Sequence, residues 1–237
     1  MKTLYLAKEP GKGVRDDLSR IYGEVVVVDC LNSYNEWYRK KGYSCISTNE
    51  FFGLTGMKFD VVIGNPPYGK NSSLAVKFLN KASELSDNVH MVLPRTFHKP
   101  SIINRLNPKL HLVSDVDVDE SAFRGSIIAC VQKWEVREEE REKIQTYTTH
   151  KDFTFCKKEE ADICLGRVGG GPSGKIFDEW ENRSVNSHYF LKVSSPQVIE
   201  NLKSLSKEFR SAALQTVGCP SLSKDDCVKV YSKHFDQ

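Results

Sequence analysis

Four consecutive residues, Asn65-Pro66-Pro67-Tyr68, combine the parts needed to hold a planar amino group. Asn65 offers a neutral side-chain acceptor oxygen. Two prolines in a row fix φ twice and remove two N–H donors. The carbonyls of Asn65 and Pro66 are then available to a guest instead of being tied into local structure. Two acceptors aimed at one –NH2 would hold it and draw its nitrogen from planar, conjugated geometry toward a nucleophilic one. Tyr68 adds a ring face for stacking on a planar substrate. The bland alternative is an Asx-Pro turn, which would need only the first two residues.

The residues in front of this tetrapeptide say where it sits. Phe59 to Gly64 reads as a strand too apolar to face solvent, so it is buried on both sides. Ligands of open α/β sheets bind at the carboxyl ends of strands, and Asn65 follows such an end. Strand-like runs recur at Leu4–Ala7, Glu24–Asp29, Ser44–Thr48, Val89–Leu93, Leu110–Val113 and Ser126–Val136. Helical stretches fall between them, at about Val14–Ile21, Asn32–Lys41 and Ser72–Leu85, the last with a serine cap. This alternation predicts a mostly parallel sheet with helices on both faces. The charge run at 137–143 reads as a solvated connection and places a boundary there, between domains 1–136 and 144–237. The second part is more polar, with a glycine-rich loop at 169–174 and a helix from Pro196 to about Leu214. A small α+β region is expected.

Composition narrows the class. At 237 residues and 39% hydrophobic, the chain can bury a core, which excludes a disordered protein. The longest purely aliphatic run, Val25–Val28, is far short of a membrane helix, and Met1–Ala7 is too short for a signal-peptide core. A cytoplasmic chain with no membrane partner is expected. Seven cysteines, an odd number, do not suggest a disulfide framework, and the gaps Cys156/Cys164 and Cys219/Cys227 match no common zinc spacing. No metal is expected. Residues 1–136 carry 18 Lys+Arg against 15 Asp+Glu, and 137–237 carry 16 of each. A net charge of +3 permits nucleic-acid binding without demonstrating it.

The run Phe59-Asp60 through Tyr68, with Gly69 following, resembles the signature of class I, S-adenosylmethionine-dependent methyltransferases that modify planar amino nitrogens. The adenine-N6 DNA methyltransferases are the nearest look. The resemblance covers roughly residues 3–136. It implies a Rossmann-like methyltransferase sheet, mostly parallel with one antiparallel strand, in an α/β fold with the small C-terminal α+β region beside it. It also implies S-adenosyl-L-methionine as cofactor and double-stranded DNA as partner. Asn65, Pro66, Pro67 and Tyr68 become the catalytic set. The first cofactor motif of the family, a strand, an acid and then glycines, falls on Glu9, Gly11 and Gly13; the usual third glycine is replaced by Arg15. Gly11 and Gly13 could equally form an ordinary turn. Asp29, ending the second strand, matches the acid that takes the ribose hydroxyls, with a strand-end cap as the alternative. Asn49, after the third strand, matches the group that meets the cofactor's adenine amine. Phe123 matches the aromatic that sandwiches a flipped base, or is a core residue.

Gly169 to Lys175 has the spacing of a phosphate-binding loop, but Ile176 follows where a hydroxyl is required. Arg167 and Lys175 flank this loop, and DNA phosphate contact is the better functional reading, with a plain loop as its alternative. A cytosine-C5 enzyme would need a nucleophilic cysteine in Pro-Cys order, and the chain has only Cys219-Pro220. The expected function is site-specific adenine-N6 methylation of DNA, as in restriction-modification systems. Three alternatives share the pocket: adenine in RNA, a glutamine amide in a protein, and a catalytically inactive DNA-binding module. The glutamine enzymes usually carry a helical domain ahead of the first strand, which here begins at about residue 3. The sequence leaves the recognition site, a restriction partner and the oligomeric state open.

Overall fold

The computed structural model describes residues 1–7, 23–118, 129–216 and 219–236. It divides into two units, Met1–Ile144 and Gln145–Gln237.

The first unit is built on a seven-stranded sheet. Its strands are β1 (Lys2–Ala7), β2 (Glu24–Asp29), β3 (Ser44–Ser47), β4 (Val61–Gly64), β5 (Asn88–Pro94), β6 (Leu110–Asp117) and β7 (Ala129–Val136). The order across the sheet is β3-β2-β1-β4-β5-β7-β6. The β1–β2, β2–β3, β1–β4 and β4–β5 pairs are parallel, while β7 is antiparallel to both β5 and β6. The chain winds outward from β1 to β3, then crosses back to β4 on the other side of β1. The β1/β4 boundary is therefore the topological switch point, where a crevice opens at the strands' carboxyl ends.

Valines dominate β2 and β4 because both strands lie inside the sheet, where β-branched side chains pack well. At the end of β4 the packing leaves room only for glycine. A Cβ on Gly64 would lie 2.2 Å from the Leu6 carbonyl oxygen of β1, and φ there is +151°. The helix Ser73–Leu85 covers the sheet with Ala75, Val76, Phe78, Leu79, Ala82 and Leu85, the three- and four-residue spacing of one apolar face. Phe78 stacks on Phe51 at 5.3 Å, and Trp134 of β7 is fully buried in the same core.

The structure corrects several local expectations. The helix expected from Asn32 starts at Asn35, because Asn32 has φ 55° and the preceding turn is tied to Asp29. Thr48 belongs to the helix Thr48–Gly53, capped by Ser47, and not to β3. Ser72 does not cap the following helix: it is left-handed at φ 56°, and its hydroxyl bonds Thr96 Oγ1 at 2.7 Å. The 137–143 run is exposed as expected, apart from the half-buried Arg141, but it is also tied to the first unit. Arg137 N donates to Lys109 O, Arg141 N donates to Pro108 O, and the Arg141 guanidinium reaches the carbonyls of Ile103 and Leu106. The boundary accordingly falls after Ile144. The expected helix at about 14–21 lies outside the described residues.

The second unit holds a four-stranded antiparallel sheet of β8 (Phe153–Cys156), β9 (Ile163–Gly166), β10 (Ile176–Phe177) and β11 (His188–Val193), in the order β10-β9-β11-β8. The single helix expected after Pro196 is two, Pro196–Ser204 and Ser206–Leu214, broken at Leu205. A third helix, Lys224–Phe235, starts in a Ser223/Asp226 capping box. Phe153, Leu165, Leu191, Leu202, Phe209 and Tyr231 belong to the buried core of this unit. No helix among the described residues is long and apolar enough to cross a membrane.

Candidate active site

The site is assembled where β4 ends. Asn65 N donates to Leu6 O at 3.0 Å, extending the β1–β4 ladder by one bond and fixing the Asn65 backbone against the switch point. Its side-chain oxygen is buried and accepts no hydrogen bond. A buried acceptor without a donor costs about 1–3 kcal/mol, so its persistence asks for a guest. Among the described residues no N–H donates to the carbonyls of Asn65 or Pro66 either. Three acceptor oxygens are thus unpaired within two residues.

The Tyr68 carbonyl takes the opposite role. It accepts from Leu74 N at 3.1 Å and Ala75 N at 3.2 Å, closing the start of the helix Ser73–Leu85. The Tyr68 ring packs against the sheet core, and burial, with the Cys130 thiol nearby, pushes its hydroxyl up to about 12. Tyr68 is therefore a neutral phenol at physiological pH. The turn after it is strained: Asn71 and Ser72 are consecutive non-glycine residues at positive φ. Arg105 holds this turn by donating to Asn71 O at 3.0 Å, and Thr96 holds it through Ser72. The sequence reading missed Thr96 and Arg105, which have no local signal and reach the turn only through tertiary packing.

Beside Tyr68, His98 Nε2 lies 3.1 Å from the Asp115 carboxylate, and Arg95 grips Asp117 with two bonds of 2.9 and 2.6 Å. The ligand-type atoms of His98, Asp115 and Cys130 lie within 4.8 Å of one another. Burial and the two carboxylates push the Cys130 thiol up to about 12, so it stays protonated and donates to Leu93 O at 3.6 Å. The cluster behaves as a hydrogen-bonded wall.

Asp29 ends β2, in register with Ala7 of β1 and Ser47 of β3. It is fully buried. One oxygen accepts from Leu31 N at 3.2 Å and the other from Tyr34 N, so the carboxylate closes the turn after the strand. A carboxylate has about four lone-pair sites, and two remain after these bonds. Asn49 stands exposed at the start of the helix Thr48–Gly53, its amide without a partner among the described residues, whereas the neighbouring Glu50 is spent in the Ser47 capping box. The acid that ends β2 and the amide that follows β3 both lie at the carboxyl edge of one sheet. Glu9, Gly11, Gly13 and Phe123 lie outside the described residues.

In the second unit Arg167 and Lys175 part company. Arg167 lines a cavity and lies over Tyr189, while Lys175 is exposed and does not line it. The glycine-rich loop between them is closed on its own unit. A Cβ on Gly174 would lie 2.6 Å from Arg210 N, and Arg210 bonds Gly169 O and Ser173 Oγ.

The strand order, with its single reversed strand β7, is that expected of a Rossmann-like methyltransferase sheet. Within it, residues 25–106 match the family described as Eco57I restriction-modification methylase, a span that includes Asp29, Asn49 and all of Asn65–Tyr68. No curated protein matches the sequence. Among solved structures, TrmN from Thermus thermophilus is 20% identical with a TM-score of 0.43, over 58% of this chain and 44% of that one. Thermoplasma acidophilum 1320 is 17% identical with a TM-score of 0.42, over 58% of this chain and 76% of that one. The Pyrococcus abyssi tRNA (uracil-54, C5)-methyltransferase, solved with S-adenosyl-L-homocysteine, is 17% identical with a TM-score of 0.40, over 56% and 34%.

Proposed function

We propose that the chain transfers a methyl group from S-adenosyl-L-methionine to the N6 amine of an adenine flipped out of duplex DNA. The observation that carries this reading is the buried, unpartnered Asn65 side-chain oxygen, with the unpaired carbonyls of Asn65 and Pro66 beside it. An amine with two N–H groups is the guest such acceptors suit. The family match over 25–106 supports DNA as the substrate.

The cofactor supplies a methyl group already activated by its sulfonium. This chain's residues supply orientation and electrostatics. Asn65 and Pro66 hold the adenine amine and localise its lone pair. Tyr68, neutral and half-buried, stacks on the base. Asp29 and Asn49 would hold the ribose and adenine of the cofactor, with Glu9, Gly11 and Gly13 completing its site. After attack the nitrogen loses its proton to water, so no strong base is needed. The target must leave the helix to reach Asn65, at a cost of a few kcal/mol in unstacking. The second unit supplies duplex contacts, which one base in a pocket cannot provide.

The test is incubation of the protein with a labelled methyl donor and, separately, duplex DNA and RNA, followed by mapping of modified adenines. N6-methyladenine in the DNA is expected. Label confined to RNA, or to protein, would overturn the substrate assignment.

A further inference from the structure

The second unit contains a cavity that the methyl-transfer site does not use. It lies beside the sheet end where β8 stops at Cys156, opposite Phe190, while β11 extends back to His188. Its volume is about 310 Å³, at the lower edge of the range for small-molecule sites. Lys157, Lys158, Arg167 and Lys224 line it, against a single acid, Glu159, so the cavity selects an anion.

The walls are aromatic as well as cationic. Phe155 and Tyr189 meet edge to face at 5.1 Å. The Arg167 guanidinium lies 5.2 Å from the Tyr189 ring centre, and Lys224 Nζ lies 4.8 Å from that of Phe155. The Tyr189 hydroxyl donates to Leu222 O at 3.1 Å, which locks its ring in place.

Two buried polar atoms on this wall have no partner: Arg167 Nε and His188 Nε2. His188 is only 7% exposed. Its Nδ1 faces two oxygens, Ser187 Oγ at 3.0 Å and Ser184 O at 3.2 Å; the carbonyl can only accept, so the tautomer with the proton on Nδ1 satisfies it. Burial pushes His188 down, which favours the neutral ring, and in that tautomer Nε2 is an acceptor. Arg167 Nε is a donor. The cavity wall therefore offers one unused donor and one unused acceptor, beside aromatic faces and under a lysine rim.

We propose that this cavity binds a nucleotide of a nucleic-acid strand, its base against Tyr189, Phe155, Arg167 Nε and His188 Nε2 and its phosphate toward Lys224 and Lys158. Every nucleobase carries donor and acceptor groups along its Watson–Crick edge and a face that stacks, and each phosphate answers the rim charge. This site deepens the nucleic-acid role given above to the second unit and rests on it, but its test involves no methyl transfer, so the two readings fail separately.

The test is fluorescence anisotropy of a labelled single-stranded oligonucleotide of about six residues, a length typical of single-strand sites, titrated with the full chain. Unlabelled dAMP and inorganic phosphate serve as competitors. Saturable binding is expected, weakened by about tenfold in Arg167→Met and again in Lys224→Met, the scale of losing one stacked or charged base contact. The oligonucleotide should compete best, dAMP less well and phosphate least. Lys224 is part-exposed at a helix start, so K224M keeps the test decisive if R167M unfolds, as judged by circular dichroism. Unchanged oligonucleotide affinity in folded K224M and R167M would overturn the site. Phosphate competing as well as dAMP would overturn base binding, and dAMP binding as tightly as the oligonucleotide would overturn the strand in favour of a free nucleotide.

Discussion

The ends of β4 and β2 carry two polar residues with opposite fates. Asn65 has a buried side-chain oxygen with no donor, whereas Asp29 is equally hidden but has a backbone N–H on each oxygen. Asn65 follows a glycine squeezed against β1 and is followed by two prolines, so nothing nearby can supply a donor. Asp29 is followed by a chain that turns back, and the turn itself supplies two. An acceptor left open by its own backbone is set aside for a guest. One already closed by its backbone builds the loop first and can serve a ligand only with its remaining lone pairs.

The sharpest way to break this comparison is Asn65→Ala. Methyl transfer to DNA should fall by at least about 10²-fold, the scale of losing one preorganised polar contact. Fold stability should hold or rise slightly, because the variant removes an unsatisfied buried group. Near-normal turnover in a single-turnover assay would remove Asn65 from the site. Asp29→Ala should show the reverse emphasis. Urea unfolding should report a loss of about 1.5–3 kcal/mol, the worth of hydrogen bonds to a charged group. If stability is unchanged while calorimetry shows weaker cofactor binding, Asp29 serves the ligand alone and the contrast fails.

Asn49→Ala sharpens the comparison from the ligand's side. Its amide bonds none of the described residues, so stability should not move, while S-adenosyl-L-methionine binding should weaken by about 0.5–1.5 kcal/mol, one neutral hydrogen bond. Calorimetry on the same sample as the unfolding curve checks both. The last effect appears only in alkali. The Tyr68 hydroxyl is raised to about 12 in the fold. Below about pH 10 both folded and unfolded chains keep this proton. Between pH 10 and 12 the unfolded chain loses it first, so stability falls as pH rises. Tyr68→Phe should make that decline shallower by up to about one proton. An identical slope for both proteins, measured by chemical denaturation across this range, would show that Tyr68 is not shielded by the fold.

The first unit was far more legible in the sequence than the second. Glu24–Asp29 is a strand as expected, because four valines between an acid and a turn permit little else. The parallel sheet with one reversed strand followed from strands alternating with helices and from the resemblance centred on Phe59–Tyr68. Local errors arose where a tertiary partner overruled a local preference. Ser72 looked like a helix cap but bonds Thr96, 24 residues away. The 137–143 run is exposed as expected, yet Arg137 and Arg141 also hydrogen-bond to the 103–109 segment, which no local signal announced. In the second unit the strands are two to six residues long, and β9 pairs on both sides with later strands. Such short runs carry little periodicity. His188 and Lys224 gave no warning either, since only folding sets them around one cavity. Arg167 was picked out for its place beside glycines, yet its surroundings are the ring of Tyr189 and not the loop.

The strap formed by Arg137 and Arg141 sets the shortest piece of this chain that can stand alone. Cutting at 136, where the last sheet strand ends, would discard the guanidinium that gathers the Ile103 and Leu106 carbonyls. It would also discard Ile144, whose backbone exchanges two hydrogen bonds with the Asn104 side chain at 2.9 and 3.0 Å. An excised first half should be drawn to end after Ile144, so that this pair of bonds to Asn104 is kept.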